Sequence, residues 1–356
     1  MFGSEKEGWI GIDLGGGSAK LAQIRYLPRG NRIAAACRIS LGDGLDSAAI
    51  AAGKLDSFDA ALEQLRRRWP DYQHLFHGRA VAVALPHAVT ERRTFKFPAA
   101  ERDELAMMAS EELALESSDG SVPHFGFWAT PLANPAQVEL TVLATRREVS
   151  SRLAETLWHM SLDPMLFDAQ ACAAARAVRQ AGADDTTYCL DLGRDCATLV
   201  VSRLAEPAGM RTLRECGIGT LVGAVASRLK LTQPHAFELL TRIGISERGS
   251  TAAARRIRDI LSEPLQRLTH ELQSTIYYFG RRAELRNVQR IVLTGAATAV
   301  PGLDRLLASR LDKDVRPWSN AAGAAGLPGS GLAEGELAIA VAMSNACRVE
   351  VACTST

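Results

Sequence analysis

The sequence lacks the features that define several large classes of protein. No run of about 18 apolar residues, the length needed to cross a membrane, occurs in the chain. Neither charge prevails, since 41 Lys and Arg residues face 40 Asp and Glu residues. The first residues are polar, without the apolar stretch of a secretion signal, and the seven cysteines include no Cys-x-x-Cys pair. We therefore expect a cytoplasmic protein with free thiols, no nucleic-acid binding and no direct membrane insertion.

Common catalytic and metal-binding patterns are also missing. The chain has no Gly-x-Ser-x-Gly nucleophile motif, and His74 and His77 have no carboxylate or cysteine at the spacing of metal ligands. Apolar residues make up 47% of the chain and charged residues 23%, the proportions of an ordinary globular protein. The 356 residues are enough for two or three domains.

The most informative feature of the sequence is a motif that occurs twice. Residues 10–20 read IGIDLGGGSAK and residues 188–198 read YCLDLGRDCAT, so each copy is an apolar strand ending in Asp-Leu-Gly, then a turn and a second strand. A carboxylate at a strand end can hold Mg²⁺ through its waters, and glycines let backbone N–H groups point at phosphate oxygens. One copy alone favours an ordinary β-hairpin, whereas the pair predicts two jaws around a phosphate chain.

The predicted elements follow the same order in both halves of the chain. The first half is predicted to contain strands at 9–14, 19–25, 33–40 and 81–85 and a helix at 57–69. The second half is predicted to contain strands at 187–192, 197–203, 210–215 and 289–294, with helices from about 220, over 253–286 and at 303–311. This repetition indicates two related domains.

Residues 90–161 interrupt the first half with a strand–helix–strand–strand–helix run typical of a small α+β subdomain. An alanine-rich helix is predicted at 166–181, a mobile loop at 319–335 and a core helix at 336–347. The predicted domains are a first domain of 1–86, 162–183 and 336–356, an inserted subdomain of 87–161, and a second domain of 184–335.

With these motifs in this order, the sequence resembles the actin-like ATPase superfamily and, within it, the PilM family of type IV pilus assembly, which is related to FtsA. Residues 13–20 (DLGGGSAK) resemble the phosphate loop of PilM-like chains, and residues 141–149 (TVLATRREV) resemble a strand-to-helix step of their inserted subdomain. Residues 290–297 (RIVLTGAA) and 300–303 (VPGL) resemble the adenosine motif. The resemblance implies an α/β fold of duplicated actin-like (ribonuclease H-like) domains, with a small α+β subdomain inserted in the first half.

The resemblance also implies ATP and Mg²⁺ as ligands. Asp13 and Asp191 would be the catalytic residues that hold hydrated Mg²⁺, and Gln170 would orient the attacking water in a slow hydrolysis. An ordinary helix residue is the equal alternative for Gln170. The cofactor-binding residues would be Gly15, Gly16, Gly17, Ser18, Lys20, Gly193, Arg194, Gly219, Thr220, Gly295 and Ala296. Thr220 is also expected to cap the helix that follows it.

The second jaw and the adenosine motif depart from the family pattern. Arg194 and Asp195 stand where the family has small or hydroxyl residues; the arginine would attract phosphates, whereas the aspartate would repel them. Ala296 and Ala297 stand where further glycines are usual, and their methyl groups would crowd the nucleoside. These departures favour, as an alternative, a pseudo-ATPase scaffold that has lost nucleotide binding.

For function, the resemblance implies an assembly protein held at the inner membrane through partners. It would capture the cytoplasmic tail of a PilN-like inner-membrane protein in a groove formed near residues 25–40 and 90–145, alongside other pilus assembly proteins or a second copy of itself. Phe125, Phe127 and Trp128 are expected to pack in a strand core, with the partner groove as the alternative. The competing functions are the pseudo-ATPase scaffold, of a pilus or a secretion system, and a small-molecule kinase, for which no general-base carboxylate is evident.

Overall fold

Three β-sheets organise the fold in a computed structural model, which describes residues 7–347 except 29, 43, 117–119, 133, 183–185, 246–250, 283–284 and 321–330. The described part contains the strands β1 (Ile10–Leu14), β2 (Ser18–Leu27), β3 (Gly30–Ser40), β4 (Ala80–Leu85), β5 (Glu91–Pro98), β6 (His124–Pro131), β7 (Gln137–Thr145), β8 (Asp163–Ala169), β9 (Thr186–Leu192), β10 (Cys196–Arg203), β11 (Glu206–Arg214), β12 (Arg290–Thr294) and β13 (Asp314–Pro317). It also contains the helices α1 (Ser47–Ala51), α2 (Asp56–Arg68), α3 (Arg102–Glu116), α4 (Arg147–His159), α5 (Gln170–Gln180), α6 (Ile218–Leu229), α7 (Gln233–Ile243), α8 (Ala252–Gly280), α9 (Leu303–Leu311) and α10 (Ala338–Ser344). Within these residues no helix combines the length and the apolar character that a membrane span requires.

The first sheet has the strand order β3-β2-β1-β4-β8. β1 and β2 form the first Asp-Leu-Gly hairpin and are antiparallel, whereas β1, β4 and β8 run parallel to one another. Helices α2 and α4 bury Phe58, Leu62 and Leu153 against one face of this sheet, and α10 packs on the other face. β1 is therefore buried along its whole length, which explains its continuous apolar run.

The second sheet repeats this arrangement with the strand order β11-β10-β9-β12-β13. The antiparallel pair β9–β10 is the second Asp-Leu-Gly hairpin, and β12 and β13 extend the sheet in parallel. Helix α8 buries Leu261, Leu265 and Leu268 in the core on one face of the sheet, and α5 contacts the sheet from the other side. The predicted duplication is confirmed by the identical order of the strands in the two sheets.

The third sheet is small and antiparallel, with the order β5-β7-β6. Helix α3 covers one face with Leu105, Ala109 and Leu113. Phe125 and Phe127 pack in this core, as expected from the sequence. Trp128, which follows them on β6, packs instead against the core between the two large sheets, and β6 also touches β11 of the second sheet.

Helices α5 and α10 pack against each other between the two large sheets. α5 contacts β10 and β11 of the second sheet, and α10 contacts β1 and β2 of the first. Their alanines are buried, and small side chains let the backbones approach closely. A β-carbon on Gly11 would overlap the carbonyl oxygen of Ala340 in α10, so the sheet and the helix are in direct backbone contact.

The structure corrects several predicted elements. Asp163–Ala169 is strand β8 and not the beginning of a helix at 166; α5 starts at Gln170. β13 and α7 have no counterpart among the predicted elements. Of the loop predicted at 319–335, residues 321–330 lie outside the described residues, but Glu334–Leu337 forms a 3₁₀ turn that leads into α10, which starts at 338 rather than 336.

The position of α4 also differs from the predicted division into domains. The helix was expected in the inserted subdomain, yet Val149, Leu153 and Leu157 lie in the core of the first sheet. Its apolar spacing of four residues gives the burial face but does not say which sheet that face meets. The other predicted domain boundaries stay predictions, and the one at 183/184 falls on residues outside those described.

Candidate functional site

A polar cleft lies where the two Asp-Leu-Gly hairpins face each other. Its cavity has a volume of about 370 Å³, within the range of small-molecule sites. Of the residues proposed from the sequence, it is lined by Gly15, Gly16, Gly17, Ser18, Lys20, Gln170, Asp191, Gly193, Arg194 and Ala296. Asp13, Gly219, Thr220 and Gly295 do not line this cavity. The fold therefore brings most of the predicted phosphate-binding residues to one place.

The first jaw presents a row of charged side chains set by strand register. Asp13 on β1 lies opposite Lys20 on β2, and Lys20 lies opposite Arg38 on β3. The Lys20 Nζ atom is 2.8 Å from Asp13 Oδ2, and the Gln170 amide donates to Asp13 Oδ1 over 2.6 Å. Asp13 is almost fully buried. Both of its oxygens thus accept from protein donors, one of them charged.

Lys20 stands between the carboxylates of the two jaws. Burial alone would lower the pKa of Lys20, but the charges of Asp13 and Asp191 outweigh burial and raise the pKa above its ordinary value. Burial raises the pKa of Asp191, as does Asp13, while Lys20 and the Thr294 hydroxyl oppose the rise. Two carboxylates thus share one ammonium group, and this excess of negative charge suits a divalent cation.

The arrangement limits how such a cation would be held. Among the described residues, no group of three or more His, Cys, Asp or Glu side chains is placed to bind a metal ion. Mg²⁺ usually keeps several waters and is bound by one or two carboxylates together with phosphates. Asp13 and Asp191 fit that pattern, so they would hold Mg²⁺ together with a nucleotide and not as a dedicated protein cage.

The second jaw is built on Asp191 at the end of β9. Asp191 lies opposite Thr294 of the parallel strand β12, and the Thr294 hydroxyl donates to Asp191 Oδ1 over 3.0 Å. Gly295 follows with φ +80°, and a β-carbon there would lie 2.6 Å from Asp191 Oδ1. Gly295 therefore supports the carboxylate from behind instead of facing the cavity.

Residues at the start of α6 support the second jaw in a different way from that predicted. The N–H groups of Ile218 and Gly219 donate to the carbonyl oxygens of Gly193 and Arg194, each over 2.8 Å. Gly219 thus holds the β9–β10 turn, and its predicted contact with a ligand stays a prediction. The expected cap at Thr220 is wrong, because Gly217 is the capping residue and the Thr220 hydroxyl donates to the carbonyl of Glu215.

The two alanines of the adenosine motif face different surroundings. Ala296 lines the cavity, whereas Ala297 is fully buried in the core of the second sheet. The expectation that both methyl groups would crowd a nucleoside is therefore wrong for Ala297. The loop that begins at Gly295 is also anchored to the segment before α10, since the Gly295 N–H donates to the Gly335 carbonyl over 2.9 Å.

Sequence reasoning missed several side chains that line the cavity, among them Arg38, His87 and Cys196. Arg38 lines the cavity and pairs over 3.0 Å with Glu336, which is buried. His87, after β4, lies 3.3 Å from Cys196 Sγ across the cleft. Burial lowers the pKa of His87 and raises the pKa of Cys196 to about 12, so this contact is between neutral groups at neutral pH.

Two sheets of the same strand order, each presenting an Asp-bearing hairpin to a shared cleft, define a protein with the actin-like fold. No family model and no curated protein matches the chain. Solved structures do match: a chain of the PilM–PilN type IV pilus biogenesis complex is 21% identical, with a TM-score of 0.72 over 94% of this chain and 97% of that one. The chain thus has the actin-like fold in a PilM-like form, as the sequence predicts.

Two further structures share the fold at lower similarity. The ethanolamine utilization protein EutJ from Carboxydothermus hydrogenoformans is 11% identical, with a TM-score of 0.55 over 95% of this chain and 89% of that one. MreB 5 of Spiroplasma citri, bound to AMPPNP, is 10% identical, with a TM-score of 0.54 over 98% of each chain. At such identities the likeness establishes the fold, and function must be argued from the site.

Proposed function

We propose that the chain is a nucleotide-responsive assembly protein of a type IV pilus or a related machine. It would bind Mg·ATP in the cleft and the cytoplasmic tail of a PilN-like inner-membrane protein outside it, working in the cytoplasm at the membrane surface through that partner. The observation that carries this proposal is the likeness to a chain of a PilM–PilN complex over 94% of this chain and 97% of that one. So full a match includes the region of the inserted sheet.

The cleft supports the nucleotide half of the proposal. The glycine turn at 15–17, the Ser18 hydroxyl and the Lys20 ammonium line one wall, and Asp191 lines the opposite wall. These are the groups that a phosphate chain with Mg²⁺ uses. The Gln170 amide lies 2.6 Å from Asp13 Oδ1, where it would orient a water beside the terminal phosphate. A slow ATPase, or binding without turnover, is consistent with this arrangement.

Sheet edges support the partner half. An extended peptide can add to an exposed strand edge, and β3, β5 and β6 are edge strands of their sheets. The groove expected between residues 25–40 and 90–145 stays a prediction, but the sheet order bears on it. β3 and β8 form the two opposite edges of the first sheet. The chain enters the third sheet after β4 and returns to the first sheet at β8, so the third sheet is connected to the edge opposite β3. We therefore favour the third sheet as the principal surface for the tail.

Calorimetric titration with Mg·ATP tests the nucleotide half. We expect saturable binding by the wild type and at least about a tenfold loss of affinity in Asp13→Asn, which keeps the shape of the side chain but removes its charge. Asp163→Asn, on the exposed start of β8, removes the same charge far from the cleft and should leave the affinity unchanged. Absence of heat with the folded wild type would refute nucleotide binding.

Pull-down with PilN-like tail peptides tests the partner half. The wild type should retain such a peptide, and substitutions of exposed residues on the third sheet should reduce retention while those on α8 should not. A competing peptide of the same composition in scrambled order controls for charge. Failure of every candidate tail to bind, with and without Mg·ATP, would contradict this part of the proposal.

One observation favours the pseudo-ATPase scaffold as the second candidate. Lys20 and Gln170 already donate hydrogen bonds to both oxygens of Asp13. The Asp13 carboxylate therefore has its charge and its hydrogen bonds satisfied by the protein and needs no ligand. A scaffold of this kind would bind the tail peptide equally well with and without nucleotide. Tight binding of Mg·ATP in the titration above would eliminate it.

A further inference from the structure

Two side chains of the second jaw reach across the cleft onto the glycines of the first. A β-carbon built on Gly16 would lie 2.5 Å from Asp195 Oδ2, and one built on Gly17 would lie 2.6 Å from Arg194 Nη1. Neither glycine has a positive φ. In this arrangement Asp195 and Arg194 therefore occupy the space that a β-carbon at either glycine would take, although each contact is made by the end of a flexible side chain.

The first phosphate loop is also held from its other side. The Leu45 N–H donates to the Gly16 carbonyl over 2.8 Å, and the Leu41 N–H donates to the Gly17 carbonyl over 3.1 Å. Gly44 packs so closely against the same loop that a β-carbon on it would overlap the Gly16 carbonyl oxygen. The loop is thus held by Leu41, Gly44 and Leu45 in addition to its contacts with Arg194 and Asp195.

The two covering side chains have opposite effects on an anion. Each is about half exposed, at 45% for Arg194 and 49% for Asp195, and the Arg194 Nε atom lies 3.9 Å from Asp195 Oδ1. Exposed side chains of this kind can turn aside without disturbing the strands. A phosphate group placed on Gly16 would be repelled by the Asp195 carboxylate and attracted by the Arg194 guanidinium.

Resting on the proposed nucleotide function, we propose that Asp195 is the specificity-determining residue of this cleft. The Asp195 carboxylate occupies the position at Gly16 that a phosphate group would take. A polyphosphate displaces this carboxylate effectively only when a divalent cation offsets the negative charge of the phosphates. Arg194 then moves from Gly17 onto the phosphate. The ligand class selected is a metal-complexed nucleoside polyphosphate, and metal-free nucleotides bind more weakly.

The test compares the affinities for ATP with Mg²⁺ and with EDTA. Asp195→Asn should bind metal-free ATP about tenfold more tightly than the wild type does, because the repulsive charge is gone. Arg194→Gln should weaken Mg·ATP binding by about tenfold. Asp163→Asn, which removes a carboxylate from an exposed pair with Arg79, should change neither affinity. If the wild type binds Mg·ATP and Asp195→Asn binds both forms as the wild type does, this proposal alone fails.

A second measurement needs no ligand. Hydrogen exchange of residues 15–18 should be faster in the Arg194→Gln/Asp195→Asn double variant than in the wild type, because the cover over the loop is weakened. Unchanged exchange would overturn the cross-cleft contact on which the proposal depends. If no variant binds ATP in either form, the proposed nucleotide function fails and this proposal fails with it.

Discussion

At the scale of single residues, the cleft is governed by one ammonium group shared between two carboxylates. Lys20 lies 2.8 Å from Asp13 and also interacts with Asp191 of the other jaw. Without it, the two carboxylates would repel each other in a partly buried site. Lys20 therefore has a structural role in the ligand-free protein, where it offsets this repulsion, as well as the expected role in binding phosphate.

Replacing Lys20 should reveal this structural role as a loss of stability. Lys20→Met is expected to lower the free energy of unfolding by about 3 kcal/mol, because Asp13 is left buried without its cation. The measurement is chemical denaturation. Asp13→Asn in the Lys20→Met background should recover a large part of the loss, since the uncompensated charge is then removed. A double variant as unstable as the single one would show that the loss does not come from the uncompensated charge of Asp13.

Asp191 should be destabilising in the absence of ligand. Its pKa is raised in the folded protein, chiefly by burial, so the ionised form costs folding free energy, and this cost grows as pH rises through the folded-state pKa. Asp191→Asn is expected to raise the free energy of unfolding by up to about 1 kcal/mol at pH 7. Gains of this size are typical when a substitution removes an unfavourable interaction that a functional site retains. The same variant should lose affinity for Mg·ATP.

The pH dependence checks the sign of this effect. Thermal melts of Asp191→Asn and the wild type should nearly coincide at about pH 3, below the ordinary pKa of aspartate, where the carboxyl group is protonated in both the folded and the unfolded chain, and should separate toward pH 7. A difference that is largest in acid and vanishes at neutral pH would contradict the electrostatic explanation.

How far the cleft could be foreseen from the sequence depends on the residue. The predicted jaws were found from a local pattern, because Asp, Gly, Ser and Lys follow one another within a single hairpin. Arg38 could have been added, since the β2–β3 register pairs it with Lys20. His87 carries no such signal, because only the packing of distant elements brings it to the cleft. The same holds for Glu336, which pairs with Arg38 of the cavity lining.

At the scale of elements, the contact between α6 and the β9–β10 turn depends on the absence of a side chain at Gly219. A β-carbon there would lie 2.6 Å from the backbone oxygen of Arg194. Gly219→Ala is expected to cost more than about 2 kcal/mol, because a rigid backbone must shift. Gly223→Ala on the same helix is the matched control, since nothing lies within 4 Å of its β-carbon position.

The control should move in the opposite direction. Alanine is the better helix former, so Gly223→Ala should be neutral or should stabilise the protein by up to about 1 kcal/mol. Urea denaturation of both variants provides the comparison. Equal effects of the two substitutions would mean that helix propensity, and not the contact with Arg194, decides the stability of α6.

Elements with a clear period were predicted well, and those that depend on context were not. Helices α2, α4 and α9 and the hairpin strands lie close to their predicted ranges, because burial of one face fixes a regular spacing. Strand β8 was assigned to a helix because its residues lead without a turn signal into the alanines of α5. β13 was missed because Asp314–Pro317 is short and carries one buried residue, so its strand character comes from pairing with β12.

At the scale of the whole molecule, α5 and α10 join the two large sheets, and the backbone contact at Gly11 sets their distance from the first sheet. Gly11→Ala should force α10 off β1 and lower the free energy of unfolding by about 3 kcal/mol, at the upper end of overpacking. Calorimetry should show a lower melting temperature. Gly126→Ala on β6, where nothing lies within 4 Å, should melt like the wild type.

Loss of stability is not the only expected result of Gly11→Ala. If the two sheets are coupled through α10, the calorimetric transition should also broaden or split, because each half would then unfold more independently. A single sharp transition at an unchanged temperature would show that the sheets tolerate the displacement, and it would argue against α10 as the coupling element.

The long separation in sequence between α10 and the first strands has a consequence for synthesis. The Ser344 hydroxyl donates to the Trp9 carbonyl over 2.6 Å and accepts the Ile24 N–H over 3.0 Å, a contact spanning 320 positions of the chain. Until α10 has been synthesised, the face of β1 that this helix covers has no partner, although β1 lies far upstream of α10 in the sequence. Such contacts are slow to form and leave nascent chains prone to aggregation. The packing of the first sheet can therefore be completed only after α10 has been synthesised.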